Sequence, residues 1–78
     1  MKINLVDFIY AFPSETRVEV LDHYDDERIF SGTAEDVIRM INRSDYSYTI
    51  DLGRPYNYAE IKSGRLVVYP DYKATYGI

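Results

Sequence analysis

The sequence has no cysteine, no tryptophan and a single histidine, and each shortage removes a class of protein. Without cysteine there is no disulfide framework, no thiolate metal site and no cysteine nucleophile, a composition that fits a reducing compartment and leads to an expected cytoplasmic location. With only His23 there is no second imidazole at the helical or hairpin spacing that a transition-metal site uses. The four glycines, Gly32, Gly53, Gly64 and Gly77, are isolated from one another, so no loop cradles a phosphate. Long apolar runs are also missing: the longest, Phe8 to Phe12, is five residues, against the ~20 of a membrane span. No basic-then-apolar leader precedes a cleavage site, and no membrane partner is expected.

Positive charge is the minority. Nine Lys and Arg stand against thirteen Asp and Glu, for a net charge of −4, and a negative chain is repelled by a phosphate backbone unless its basic residues gather on one face. Lys2, Arg17, Arg28, Arg39, Arg43, Arg54, Lys62, Arg65 and Lys73 are spread almost evenly along the chain. The expectation is no direct nucleic-acid binding.

What is present is enough to fold. A hydrophobic share of 46% with 28% charged residues over 78 positions describes one small globular domain with a thin core and little room for a deep, dry active site. At the start, "INLVDFIYAFP" predicts a short helix capped by Asn4, with Leu5, Phe8, Ile9 and Phe12 on one stripe and Pro13 ending it. "TRVEVLD" and "RIFSG" read as strands joined by an acidic hairpin loop. A three-residue loop over Tyr24 to Asp26 pairs Val20 with Phe30 and Asp22 with Arg28; a two-residue Asp25-Asp26 turn is the other register.

"GTAEDVIRMIN" is the clearest helix. Thr33 caps it, Ala34, Val37, Ile38 and Ile41 form its apolar stripe, and Asn42 is placed at its left-handed end. "DYSYTIDL" alternates strictly, putting Tyr46, Tyr48, Ile50 and Leu52 on one face. "YAEIKSGRLVVY" forms a hairpin on Ser63-Gly64 with Lys62 opposite Arg65, a core face of Ala59, Ile61, Leu66 and Val68, and an outer face of Tyr58, Glu60, Val67 and Tyr69. Residues 70–78 lack periodicity and are read as a loose tail. The predicted fold class is α+β in the order α-β-β-α-β-β-β: one antiparallel sheet of about five strands with two short helices on one face.

Chemistry-bearing groups concentrate in "DHYDDERIFSG", where Asp22, Asp25, Asp26 and Glu27 surround His23. Counting an EF-hand from Asp22 puts Glu27 where glycine is required and Thr33 where glutamate is required, so that pattern fails. Acid-base work by His23 with Asp25, or Glu19 with Asp22, needs burial that a loop tip does not provide. No nucleophile motif is present, so no catalytic residue, metal ligand or cofactor is assigned and the chain is read as a non-enzyme.

The nine tyrosines are more informative, since tyrosine gives recognition surfaces a large amphipathic face at small entropic cost. Tyr46 and Tyr48 keep step with Ile50 and read as core. Tyr58 and Tyr69 on the outer hairpin face, with Tyr56, Tyr72 and Tyr76 in loop and tail, read as exposed. With the carboxylates of Asp22, Asp25, Asp26 and Glu27, joined by Glu35 and Asp36 as candidate phosphate mimics, they make the candidate partner-binding surface.

At "TRVEVLDHYDDERIFSGTAEDVI", after a short amino-terminal helix, the chain resembles the short uncharacterised proteins of phages and prophages of Gram-positive bacteria. Those run helix, V-x-V hairpin with an acidic turn, then F-x-G-T and a helix rich in Glu and Asp; the likeness covers about the first half, with an echo in "IKSGRLVV". The family brings no catalytic residues. Small acidic phage proteins include inhibitors of host defence such as anti-CRISPR proteins, so the resemblance implies a cytoplasmic protein of the bacterial host cell that occupies a host protein, such as a nucleic-acid-binding defence nuclease. Two other readings stay open: a structural domain whose tyrosine face closes a homodimer, and a metal or acid-base site at His23.

Overall fold

A computed structural model describes residues 2–75. The chain is α+β, with two helices, but its strands divide into two sheets rather than one. The elements are β1 (Ile3–Asn4), α1 (Leu5–Tyr10), β2 (Arg17–Leu21), β3 (Arg28–Thr33), α2 (Ala34–Arg43), β4 (Tyr46–Ile50), β5 (Tyr58–Lys62), β6 (Arg65–Tyr69) and β7 (Asp71–Ala74). One sheet runs β1-β4-β7 and is antiparallel; the other runs β3-β2-β6-β5. Its central pair, β2 with β6, is parallel, which corrects the expected all-antiparallel sheet.

Local chemistry accounts for most boundaries. Asn4 is extended and its Oδ1 accepts the Val6 amide at 2.9 Å, starting α1. Six residues are too few to be helical alone; buried Leu5 and Ile9 hold the turn in place. The helix stops at Tyr10, short of Phe12, because Ala11 and Phe12 donate to Phe8 and Ile9 in the tighter three-residue pattern ahead of Pro13. In α2 the Thr33 hydroxyl accepts the Asp36 amide at 3.2 Å, and Ala34, Val37, Ile38 and Ile41 are buried as their spacing predicts. Asn42 does not end this helix. The end is Ser44, whose amide and hydroxyl both donate to the Ile41 carbonyl.

Between β2 and β3, Val20 faces Phe30 as expected, but Leu21 rather than Asp22 faces Arg28, because Ile29 is an extra residue on β3. The loop takes neither expected register: the Asp22 amide donates to Glu27 O and closes a longer loop over residues 23–26, the Asp26 amide donates to Asp22 O, and Asp26 takes a positive φ of 58°. The second hairpin has the expected register, Lys62 opposite Arg65, with Ser63 and Gly64 both at positive φ.

Residues 71–74 are not a loose tail. β7 pairs with β4 from Tyr46–Ala74 to Thr49–Asp71. Fully buried Pro70 is the corner where the chain leaves one sheet for the other, a position at which a missing N–H costs no ladder bond.

The core lies between the layers. Val18, Val20, Leu66 and Val68 project from one face of the four-stranded sheet onto Leu5, Ile9, Ala34, Val37, Ile38 and Ile41 of the helices and Tyr48 and Ile50 of β4. The opposite face of that sheet carries Arg17, Glu19, Arg65 and Val67. Three expected core residues lie outside it: Tyr46 is exposed, Leu52 follows the end of β4 and is 54% exposed, and Ile61 is 66% exposed. Val67, assigned to the outer face, is nonetheless buried, with Leu21, Tyr69 and the stems of Lys62 and Arg65 lining the groove around it.

Candidate functional site

The acidic loop is a built structure. Asp22 Oδ1 accepts the Tyr24 amide at 2.8 Å and Asp25 Oδ1 accepts the Glu27 amide at 3.0 Å, so two of the four acids fix the backbone of their own turn. The other oxygen of Asp22 accepts the Tyr72 hydroxyl at 2.8 Å. The Tyr24 amide first and then the Tyr72 hydroxyl hold the Asp22 carboxyl below the ordinary carboxylate range, against the opposing effect of burial. Tyr72 is pushed up in turn, because the same bond keeps its proton.

His23 turns inward. Its Nδ1 lies 3.3 Å from the Pro70 carbonyl, which can only accept, so Nδ1 donates there, and Nε2 is buried with no protein partner. The ring lies beside Tyr24, centroids 4.3 Å apart, and stacks on Tyr56 at 5.1 Å; the Arg54 guanidinium caps Tyr56 at 5.3 Å. Arg54 reaches Asp71 at 2.7 Å, and Asp71 also accepts the Asn57 amide at 3.2 Å. The loop between β4 and β5 is thereby locked against both the acidic hairpin and β7.

The expected surface is therefore contiguous where the sequence separates its parts by tens of positions. Asp22 meets Tyr72, His23 meets Tyr56, and the charge of Asp26 reaches Tyr69. Tyr58 and Tyr69 face each other across β5 and β6 as a stacked pair 4.3 Å apart. Asp25, Asp26 and Glu27 are exposed, as are Tyr56, Tyr58 and Tyr72; Asp22 and Tyr69 are half-buried, and Tyr76 lies outside the described residues. Glu35 and Asp36 are on the first turn of α2 and pair with Arg39. Sequence reasoning missed Tyr24, which is 81% exposed, and the supports Arg54, Asn57 and Asp71. The signal for Tyr24 was its place at the tip of a charged loop; nothing local marks the other three.

Hydrogen bonding with Tyr58, then burial and the negative charge of Asp26 and Glu60, push the Tyr69 hydroxyl up to about 12. A phenol whose folded value is raised stabilises the fold fully below its ordinary value near 10, and that contribution is lost as pH climbs through about 12. Absorbance at 295 nm should therefore show Tyr69 ionising in the last step of an alkaline titration. Tyr58→Phe should move that step to lower pH, and an unchanged step would mean the pair is not bonded.

Among the described residues, no three His, Asp or Glu side chains come together as a metal-holding group, and no helix is long and apolar enough to cross a membrane. The chain matches no family model, no curated protein and no solved structure.

Proposed function

We propose that this chain is a phage-type interaction protein, without catalytic activity, that binds and inhibits a host protein in the cytoplasm through the acidic hairpin loop and the tyrosines around it. The observation that carries the reading is the fixed loop tip. Asp25, Asp26 and Glu27 stand in water on a backbone held by Asx turns and by the Tyr24, His23, Tyr56 and Arg54 stack. Carboxylates held before contact spare a partner the entropy of ordering them, and their charge steers a basic surface toward the flanking rings. A groove that normally binds nucleic-acid phosphates has the matching charge, which makes a nucleic-acid-binding defence enzyme the favoured partner class.

Immobilised chain offered a bacterial lysate should retain a basic nucleic-acid-binding protein that added double-stranded DNA releases. The Asp25→Lys/Asp26→Lys double variant should retain at least about tenfold less, as expected when two contact charges are reversed. Equal capture by the variant, or capture indifferent to DNA, would refute the mimicry.

A further inference from the structure

The outer face of the four-stranded sheet gathers the positive charge that the sequence scatters. Val18 opposite Leu66 in the parallel pair brings Arg17 alongside Arg65, and Glu19 opposite Ser31 brings β3 into the same row. Arg17, Arg28, Arg65, Glu19, Ser31 and Gly32 line a shallow recess of about 170 Å³. Glu19 is the only carboxylate in that lining. Arg65 hydrogen-bonds one of its oxygens, and Arg28 Nε stands 3.6 Å from the other. Three guanidiniums against one carboxylate leave the recess at +2, in a chain whose net charge is −4.

We infer that this recess is a binding site for a phosphate group, held between Arg17, Arg28 and Arg65. Like charges set side by side on neighbouring strands oppose sheet formation, and one internal carboxylate cannot neutralise three. The Arg17 side chain forms no ion pair or hydrogen bond among the described residues, and the Ser31 hydroxyl is likewise unpaired. Both are donors without a protein acceptor. Guanidinium groups present fixed forks that match the oxygens of phosphate, and a hydroxyl supplies one further donor. The recess has room for about six waters at ~30 Å³ each, so a phosphate group fits with its ester oxygen toward solvent. The field of Arg17 and Arg28 acts on Glu19 too, whose carboxyl is held low first by the Arg65 hydrogen bond and then by these charges. The site is independent of the acidic loop: a phosphate ligand here requires nothing of a partner there.

The test is titration of the full ¹⁵N-labelled chain with sodium phosphate at constant ionic strength, chloride balancing the salt. Saturable shifts are expected at the amides of Arg17, Ser31, Gly32 and Arg65. Arg17→Ala should weaken binding by about tenfold, the loss of one charge-assisted contact, without unfolding the chain, since that side chain holds nothing else. Arg43→Ala, the same change in net charge at the far end of α2, should leave the affinity unchanged. Adenosine 5′-monophosphate and adenosine form the second arm. Tighter binding by the monophosphate than by inorganic phosphate assigns the group to a phosphate ester, equal binding assigns the free ion, and both support the site. Linear shifts spread over the surface, equal weakening by Arg17→Ala and Arg43→Ala, or adenosine alone moving the same amides would overturn it.

Discussion

Leu66→Ala should leave the protein close to unfolding, while Ile61→Ala, its direct neighbour across the last hairpin, should change stability by no more than about 0.5 kcal/mol. The two side chains face each other on paired strands and are alike in size and hydrophobicity. Leu66 is 2% exposed and Ile61 66% exposed. Truncating a buried leucine to alanine costs about 2–5 kcal/mol, transfer and cavity together. A chain of this length has a total margin of about 4–12 kcal/mol, so the loss takes a large share of it. Leu66 lies on β6, which is paired on both sides, and packs toward Val18 on β2, so the cavity has little freedom to collapse. Urea unfolding of the two variants checks the pair. Comparable losses at both positions would mean that the core extends to Ile61 on its edge strand.

Asp71→Ala should cost about 1–3 kcal/mol, chiefly because it strands a buried amide. Asn57 is fully buried, and its Nδ2 donates to Asp71. The Arg54–Asp71 pair, with side chains 39% and 30% exposed, is screened by solvent and contributes at most about 1 kcal/mol. A double-mutant cycle separates the two terms. In an Asn57→Ala background the same Asp71→Ala change should cost only the ion-pair part, and equal cost in both backgrounds would show that the amide does not depend on Asp71. Since Arg54 and Asn57 anchor the loop that carries Tyr56, Asp71→Ala should also relax the ring stack on His23, seen as a shift of the imidazole proton resonances.

Where neighbouring residues decide the outcome, the sequence was readable. The Thr33 cap and the stripe of α2, the Ser63-Gly64 turn and the pairing of Val20 with Phe30 are all set by spacing within a dozen positions. The failures share a different cause. β7 has no hydrophobic period of its own and exists because β4 offers it an edge. Ile61 alternates correctly on β5, yet β5 is an edge strand reaching past the core, so its inward face meets water. Leu52 continues the alternation of β4, but Asp51 Oδ1 accepts the Gly53 amide and turns the chain away first. Of the candidate surface, the acidic tip was legible from turn chemistry, Tyr58 from its strand face and Tyr56 from its loop, whereas Tyr72 is exposed on β7 and not on the loose tail from which its exposure was read. Their convergence on His23, Pro70 and Asp71, like the meeting of Arg17, Arg28 and Arg65, depends on the parallel seam between β2 and β6, which no local pattern encodes.

That seam joins β2 (Arg17–Leu21) to β6 (Arg65–Tyr69), a strand made long after it. On the ribosome, β2 and β3 can close as a hairpin, but β2 keeps one edge of amides and carbonyls open until the β6 segment has emerged. Products that stop short of β6 display that edge together with Val18 and Val20, a ready template for aggregation, so a correctly joined sheet comes only from chains extended past Tyr69.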